Sequence, residues 1–380
     1  MKIIVAPDSF KGSLTSIQAA NAIEKGIKKA AQNYKEPVEV IKVPMADGGE
    51  GTVEAVISAV GGDIISTKVV DPLGREIDSF FGILQDNTAI IEMAAASGLN
   101  LLSKEELNPM KTTTYGTGQL IKKALDYGCK RIIIGIGGSA TNDGGVGMAQ
   151  ALGIRFLDKE GNQIGFGGGE LYKIEKIDTA LLDPRIFDTS ITIASDVKNP
   201  LCGPNGASAV YGPQKGATPE MVEILDRNLE HLAAVIKKQL NKDVLNVPGS
   251  GAAGGLGAAL IAFLEAEFCM GIKIVMELVQ LEEKIKNADL IITGEGSTDY
   301  QTMFGKVPLG IAKIAAKYNK PVVCISGSLG KGYEELYQEG IEALFSIVNR
   351  PMSLEEAMSK VEQLLERIAR DVFRMYLLRS

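Results

Sequence analysis

Arg131-Ile-Ile-Ile-Gly-Ile-Gly-Gly-Ser-Ala-Thr-Asn-Asp-Gly-Gly145 carries the strongest structural signal in this chain. Residues 131–134 predict a short buried strand, and residues 146–152 after the glycine-rich loop predict a helix. A strand, a glycine loop and a helix N-terminus place backbone N–H groups where they can face an anion. Because a carboxylate repels a phosphate unless a cation lies between them, Asn142 and Asp143 favour phosphate together with a metal.

Strands and helices also alternate at both ends of the chain. Short apolar runs predict the strands, at residues 2–6, 38–43, 290–293, 322–326 and 343–348. Thr15 or Ser16 can cap the first helix, which runs toward residue 31, and a second helix covers residues 51–60. Apolar runs of this kind are typical of strands buried on both faces of a parallel sheet.

The middle of the chain has a different pattern. Residues 67–93 predict antiparallel hairpins, and residues 154–157 predict another hairpin across the turn at 158–162. Residues 221–240 predict an amphipathic helix. We therefore predict an α/β protein of two domains, with a ligand cleft near the carboxyl ends of the strands. Residues 1–62 and 286–380 would form a doubly wound, mostly parallel sheet domain, and residues 63–285 an inserted α/β domain with mixed strands.

Composition narrows the class of protein. The 380 residues carry a net charge of −7, which argues against a nucleic-acid binder. The four cysteines are widely spaced and form no C-x-x-C pair, so we expect reduced thiols and a cytoplasmic protein. No apolar run is long enough to span a membrane, and the N-terminus does not resemble a signal peptide. The sequence leaves open whether the protein is a monomer or a homodimer.

Three further polar loops follow predicted strand ends, where open α/β sheets place ligand-binding groups. They are Asp8-Ser-Phe-Lys-Gly-Ser13, Pro44-Met-Ala-Asp-Gly-Gly-Glu-Gly51 and Thr293-Gly-Glu-Gly-Ser-Thr-Asp299. Their carboxylates suit magnesium, hydroxyl recognition or general base work, and the lysines at positions 11 and 306 suit phosphate or carboxylate. In isolation, helix capping would explain the hydroxyl groups of the first loop but not Lys11. A polar turn would explain the second loop about as well as a functional site would, and Lys306 could equally be a solvated surface charge.

Two more segments could contribute to a site. Asp196 ends a predicted strand, and Lys215 lies in Tyr211-Gly-Pro-Gln-Lys-Gly216. Pro248-Gly-Ser-Gly-Ala-Ala-Gly-Gly-Leu-Gly257 precedes an apolar helix without any acidic residue. Its glycines could cradle phosphate through the backbone, or they could allow close packing of helices.

Other nucleotide enzymes fit less well. No G-x-x-x-x-G-K-[ST] motif occurs, which argues against a P-loop NTPase. Gly135, Gly137 and Ala140 weakly match the glycine positions of a dinucleotide-binding fingerprint, and Asp158 lies about where its acidic residue is expected. However, Asp158 enters a predicted hairpin turn, so the strand–helix–strand unit of the fingerprint is not well matched. With His231 as the only histidine, histidine triads and zinc hydrolysis are disfavoured. Carboxylates, lysines, backbone amides and metal remain, and that set fits phosphoryl transfer.

Taken together, the motifs closely resemble the type-1 glycerate kinase family of bacteria. The resemblance rests on the loops at residues 6–15, 44–51, 135–145 and 293–299, and on 195–201 and 211–216. It implies transfer of the ATP γ-phosphate to D-glycerate with Mg²⁺, a two-domain α/β fold with a cleft active site, and a role in the breakdown of glycerate and sugar acids. For bacterial members of this type the resemblance favours phosphorylation of the 2-hydroxyl, which gives 2-phosphoglycerate. Phosphorylation of the 3-hydroxyl, which gives 3-phosphoglycerate, is the alternative.

The positions of polar residues in these loops give a hypothesis for each role. The catalytic candidates are Asp196 as general base, Lys11 and Asp8. Substrate-binding candidates are Lys11, Ser13, Asp47, Glu50 and, more weakly, Arg75. Nucleotide-binding candidates are Gly137, Gly138, Ser139, Thr141, Lys215, Gly294, Glu295 and Lys306. Metal candidates are Asp47, Asn142 and Asp143. An NAD-dependent hydroxyacid dehydrogenase and a non-catalytic sugar-acid sensor are the rival hypotheses.

Overall fold

The structure is a computed structural model that describes residues 1–32 and 34–378. Its strands are β1 (Lys2–Pro7), β2 (Glu39–Lys42), β3 (Asp63–Val70), β4 (Glu76–Ile83), β5 (Thr88–Glu92), β6 (Arg131–Gly135), β7 (Arg155–Leu157), β8 (Lys176–Asp178), β9 (Ser190–Ala194), β10 (Glu267–Cys269), β11 (Leu290–Thr298), β12 (Val322–Leu329) and β13 (Ala343–Ser346). Its α-helices are α1 (Ser16–Ala31), α2 (Thr52–Val60), α3 (Ala94–Ser97), α4 (Tyr115–Asp126), α5 (Val146–Ala151), α6 (Ala207–Tyr211), α7 (Pro219–Leu240), α8 (Ala252–Leu264), α9 (Gly271–Leu278), α10 (Leu281–Lys286), α11 (Val307–Lys317), α12 (Leu354–Ser359) and α13 (Val361–Leu377). Within the described residues, no helix combines the length and the apolar content that a bilayer crossing requires.

The first compact unit contains both ends of the chain: Met1–Asp47, Glu54–Gly61 and Ile272–Ser380. Its five strands form one fully parallel sheet in the order β13-β12-β11-β1-β2. The interior strand β1 has fully buried Ile3, Ile4 and Val5. Each such side chain contributes roughly 1.5–3 kcal/mol through its removal from water. The predicted parallel sheet built from both chain ends is confirmed.

Helices α1 and α13 pack closely in this unit because α1 contains a glycine at their contact. A Cβ on Gly26 would lie 2.3 Å from the carbonyl oxygen of Glu366. At the start of α1, the Thr15 hydroxyl accepts a hydrogen bond from the Gln18 N–H at 3.2 Å. The Gln18 side chain accepts one from the Thr15 N–H at 2.9 Å, which completes a capping box.

The second compact unit consists of Gly48–Val53 and Gly62–Gly271. Its six-stranded sheet has the order β10-β9-β6-β5-β4-β3, in which β3, β4 and β5 pair antiparallel and the other pairs are parallel. The hairpins predicted at residues 67–93 are therefore confirmed. The predicted amphipathic helix is α7, which buries Leu225, Leu229, Leu232 and Ile236.

The hairpin predicted at residues 154–157 and the turn at 158–162 is confirmed in part. A short antiparallel pairing spans the turn, with a bridge between Leu157 and Gln163 and hydrogen bonds from the Asp158 N–H to the Asn162 carbonyl and from the Ile164 N–H to the Phe156 carbonyl, both at 2.9 Å. The strand partner of β7 is β8, which pairs with it antiparallel and which we did not predict. The Asp158 carboxylate accepts hydrogen bonds from the Glu160 and Asn162 N–H groups, which closes the turn without extending the ladder.

The chain divides between the units at 61/62 and 271/272, and residues 48–53 belong to the second unit. Our sequence boundaries were 62/63 and 285/286. The Glu92 carboxylate holds residues 48–53 in the second unit by accepting hydrogen bonds from the Gly51 and Val53 N–H groups. In the first unit, α9 lies against α11, where the methyl group of Met276 would be 2.4 Å from a Cβ on Gly310.

Candidate functional site

The topology of the first unit marks one position on its sheet. From β1 the chain moves outward to β2 on one side, whereas β11, on the other side of β1, continues outward to β12 and β13. Loops after two such adjacent strands diverge and leave a crevice at their carboxyl ends, where open α/β sheets bind ligands. Asp8 directly follows β1, and Glu295 lies in the carboxyl half of β11.

A cavity of about 590 Å³ lies at this switch point. Six predicted site residues line it, and we call them the polar floor: Asp8, Lys11, Ser13, Asp47, Glu295 and Lys306. Apolar side chains from residues 347–358 line another part, and we call them the apolar wall: Ile347, Val348, Met352, Leu354 and Met358. The sequence motifs did not identify the wall, because its residues read as ordinary strand and helix positions.

Asp8 has the most perturbed carboxylate of the polar floor. Burial, followed by repulsion from Asp47, raises the pKa of Asp8 to about 7. The Ser9 N–H donates to Asp8 Oδ1 at 2.6 Å and the Lys11 charge also opposes the shift, but neither offsets it. Asp8 can therefore gain or lose a proton near neutral pH, and its charge responds to any cation in the cavity.

Glu295 is buried and held by hydroxyl groups. Oε1 accepts hydrogen bonds from Thr298 Oγ1 at 3.0 Å and Thr302 Oγ1 at 2.7 Å, and Oε2 lies 3.7 Å from Lys306 Nζ. Burial raises the pKa of Glu295, and these hydroxyls and the Lys306 charge oppose that shift. Lys306 is the N-cap residue of α11, so its ammonium group and the helix N-terminus both favour an anion at this end of the cavity.

In the second unit, the loop after β6 is built around the buried carboxylate of Asp143. Oδ2 accepts hydrogen bonds from the Thr114 N–H at 2.8 Å, the Thr114 hydroxyl at 2.9 Å and the Gly147 N–H at 3.2 Å. Oδ1 accepts one from the Gly145 N–H at 3.0 Å. Burial raises the pKa of Asp143 despite these donors. Both oxygens of Asp143 are thus engaged within the loop, and its role as a metal ligand stays a prediction.

Lys215 supports the same loop from within the unit. It is fully buried, and its Nζ donates to Ser139 Oγ and to the Thr141 carbonyl oxygen, both at 2.6 Å. Burial lowers the pKa of Lys215 to about 7, against the attraction of Asp143. The lysine therefore fixes the loop, whereas Gly137 and Gly138 of the loop are exposed.

Asn142 also faces inward. Its Nδ2 donates to Ser208 Oγ at 2.9 Å. The buried Asn142 Oδ1 and Thr141 Oγ1 have no hydrogen-bond partner among the described residues. A buried oxygen without a hydrogen-bond partner lowers the free energy of unfolding by about 1–3 kcal/mol, so these two atoms destabilise the loop.

Glycines let residues 48–53 lie directly on this loop. A Cβ on Gly135 would be 2.0 Å from the carbonyl oxygen of Gly48, and a Cβ on Gly137 would be 3.3 Å from the Gly49 Cα. Glu92, which sequence reasoning missed, anchors the segment. Its position at the end of the apolar run 89–92 was the available signal, because a buried acid at a strand end needs partners.

The remaining candidates lie in varied surroundings. Asp196 follows β9 and is exposed, as is Glu50. Arg75 is engaged in ion pairs with Asp71 and Glu106, both at 2.6 Å, which leaves its guanidinium less available to a substrate. Gly294 is inside the first unit's sheet, where a Cβ would be 2.0 Å from the Ile325 carbonyl oxygen, so close strand packing explains this glycine.

The loop at 248–257 favours close packing over a phosphate cradle. A Cβ on Gly254 would lie 2.0 Å from the Thr141 carbonyl oxygen, and one on Gly255 would lie 2.8 Å from the Gly144 Cα. Both glycines have positive φ, and so does Ala253, which directly precedes Gly254. The glycines thus bring the start of α8 against the loop that carries Asn142 and Asp143.

Comparison with known proteins gives a consistent result along the whole chain. A family model described as "Glycerate kinase family" matches residues 3–377. Glycerate kinase from Bacillus subtilis is 51% identical over 375 residues, which cover 98% of this chain and 97% of the relative. Glycerate 2-kinase from Escherichia coli is 51% identical over 373 residues, again 98% and 97%. A crystal structure assigned as glycerate kinase 2 from Salmonella typhimurium LT2 has a TM-score of 0.89 and 48% identity, covering 100% of this chain and 98% of that one.

Proposed function

This chain belongs to the glycerate kinase family, and we propose that it transfers the γ-phosphate of ATP to the 2-hydroxyl of D-glycerate, giving 2-phospho-D-glycerate and ADP. The observation that carries this proposal is the match to glycerate kinases along nearly the entire chain. The 51% identity to a glycerate 2-kinase supports the choice of the 2-hydroxyl. The polar floor supplies the lysines and carboxylates that such a transfer requires. We place the enzyme in the breakdown of organic acids derived from sugars.

The proposed roles of the polar floor follow from its charges. Lys11 is exposed in the loop after β1, where its ammonium group can meet the glycerate carboxylate, with Ser13 in the same loop. Lys306 and the N-terminus of α11 would offset phosphate charge. Glu295 fixes Lys306 through their ion pair, which makes Glu295 a positioning residue.

The surroundings of Asp47 and Asp8 fit a divalent cation. Both carboxylates line the cavity, and their repulsion contributes to the raised pKa of Asp8. Among the described residues no group of three or more acidic, histidine or cysteine side chains forms a metal site. One or two carboxylates completed by phosphates and water are typical of Mg²⁺. We propose that Asp47, with Asp8 beside it, holds Mg²⁺, which would offset charge on the ATP phosphates.

Asp196 stays our prediction for the general base, and Gly137, Gly138, Ser139 and Thr141 stay predictions for the nucleotide. The exposure of Asp196 after β9, and of the two glycines, is compatible with contact to a small molecule. The use of ATP, together with four cysteines that form no disulfide, supports a cytoplasmic site of action.

The proposed reaction is tested by measuring ADP release with ATP, Mg²⁺ and D-glycerate, and by phosphorus NMR of the product. We expect glycerate-dependent ADP release and a phosphorus signal coupled to the single proton on C2. Coupling to the two C3 protons would establish the 3-phosphate instead. An absorbance change with NAD and no ADP release would favour a dehydrogenase, and glycerate binding without turnover would favour a sensor.

A further inference from the structure

We propose that the apolar wall of the first unit's cavity is the binding site for the adenine base of the nucleotide, with the phosphates directed toward Lys306. The wall consists of Ile347, Val348, Met352, Leu354 and Met358, as defined above. The proposal rests on the proposed function for the identity of the nucleotide. It assigns a role to residues that none of the polar motifs contains.

The two-sided lining of the cavity matches one substrate better than the other. Glycerate carries a hydroxyl or carboxylate group on every carbon, so it has no apolar surface to place against the wall. ATP has a flat base at one end and phosphates at the other. A volume of about 590 Å³ is also within the usual range for sites that enclose a whole small-molecule ligand.

The wall is exposed to an extent that calls for a ligand. Leu354 is 76% exposed, Val348 40% and Met358 36%. These three side chains lie at the edge of one cavity, and clustered apolar exposure of this kind marks binding surfaces. Methionine side chains are flexible and polarisable, which suits contact with an aromatic ring.

The wall is continuous with the polar floor. Met358 packs on the loop after β1, where its methyl group would lie 3.1 Å from a Cβ on Gly12, a residue with a φ of +78°. Gly296 and Gly327 lie opposite each other in the same cavity, and a Cβ on Gly327 would be 2.3 Å from the Gly296 carbonyl oxygen. These glycines pack closely against backbone, and they line the cavity together with residues of both the floor and the wall. A nucleotide can therefore contact the apolar wall with its base and the polar floor with its phosphates.

A peptide segment of another protein could also cover exposed apolar side chains. The polar floor favours a nucleotide, because Lys306 lines the cavity and is the N-cap residue of an eleven-residue helix, α11. That combination is suited to phosphate rather than to the backbone of a peptide.

Calorimetric titration of the full-length protein with ADP and Mg²⁺, without glycerate, tests the assignment. The variants are Met358→Ala and Leu354→Ala, and Met375→Ala is the matched control, since Met375 is 64% exposed on α13 and does not line the cavity. We expect the two wall variants to bind ADP roughly tenfold more weakly, the size of effect that loss of an apolar contact produces. The control should bind ADP as the unchanged protein does.

Inorganic tripolyphosphate, which has no base, separates the wall from the floor. We expect its affinity to be the same in all four proteins. Unchanged ADP affinity in both wall variants would overturn the assignment, as would an equal loss for tripolyphosphate and ADP. Steady-state kinetics should show a raised KM for ATP in Met358→Ala and an unchanged KM for glycerate.

The two proposals can fail separately. If the protein binds ADP through the wall but releases no ADP with D-glycerate, the proposed function fails and the base site stands. If glycerate-dependent turnover occurs and the wall variants bind ADP normally, the function stands and the base site fails.

Discussion

The ammonium group of Lys215 links a single side chain to the stability of the second unit. Burial lowers its pKa to about 7, from an ordinary value of 10.5. Between these two pH values the folded protein binds fewer protons at Lys215 than the unfolded chain does. The Lys215 contribution to the free energy of unfolding therefore rises with pH across this window, and below pH 7 the cost of burying the charge is fully present.

Lys215→Met should remove this pH dependence, because it keeps an apolar stem and has no proton to bind. We expect the free energy of unfolding of the unchanged protein, minus that of the variant, to grow between pH 6 and pH 10 by as much as about 4 kcal/mol. Urea denaturation at a series of pH values measures the difference. Lys159→Met, at an exposed turn position, is the control and should give a constant difference. A constant difference for Lys215→Met would contradict the prediction.

The role predicted for Asp196 is also a matter of one side chain. If its carboxylate accepts the proton of the glycerate hydroxyl, Asp196→Asn should lower kcat by roughly 10²–10⁴. Stopped-flow or steady-state measurement of ADP release gives kcat directly. Asp63→Asn, at another exposed position of the second unit, should leave kcat unchanged. Near-normal turnover in Asp196→Asn would reject the assignment and direct attention to Asp8.

At the scale of the elements, the start of α8 requires glycine both for its positive φ and for the lack of space for a side chain. A comparison of Gly254, at the start of α8, with Gly161, in the turn at 158–162, separates these two requirements. Gly254 has a φ of +66°, and a Cβ there would meet the Thr141 carbonyl oxygen at 2.0 Å. Gly161 has a φ of +83°, and a Cβ there would meet no atom within 4 Å. Both positions share the strain of a positive φ, but only Gly254 lacks space for a side chain.

Gly254→Ala should therefore destabilise the protein far more than Gly161→Ala. We expect Gly161→Ala to lower the free energy of unfolding by about 1 kcal/mol, from backbone strain alone. Gly254→Ala should lower it by about a further 1–3 kcal/mol, from the steric clash. Thermal unfolding followed by circular dichroism compares the two variants. Equal shifts in Tm would mean that the loop after β6 can move away from α8 without cost.

Most elements were predictable because local pattern and tertiary role agree in them. The buried strands β1, β11 and β12 are apolar runs, and α7 has a helical apolar period, so periodicity found all four. The partner of β7 was not predictable, because the turn at 158–162 suits a hairpin and the competing strand β8 is only three residues long. For the site, motifs after strand ends identified the polar floor. They missed the apolar wall and Glu92, whose roles depend on which distant segments meet them.

At the scale of the whole molecule, the two units differ in which segments of the chain they need in order to form their sheets. The second unit is formed from residues 48–53 and 62–271, and all partners of its sheets are within it. The first unit needs strands from both ends of the chain. The second unit should therefore be able to fold when the ends are absent, whereas neither end should fold alone.

A fragment of residues 48–271 should unfold cooperatively in urea, with helical far-ultraviolet circular dichroism. A fragment of residues 62–271 is the matched comparison. It lacks the Gly51 and Val53 N–H groups that donate to Glu92, which would leave a buried carboxylate with fewer partners. We expect it to be less stable by about 1–3 kcal/mol. A gradual, non-cooperative transition for residues 48–271 would show that the second unit needs the chain ends.

The interior place of β1 in its sheet has a consequence for synthesis on the ribosome. β1 lies between β2 and β11, and β11 begins only at Leu290. At a translation rate of roughly 5–20 residues per second, one flank of β1 has no partner for on the order of tens of seconds. The backbone groups on that flank of β1 have no strand to pair with throughout that time, so this apolar segment is a natural target for chaperones that hold apolar segments until translation is complete.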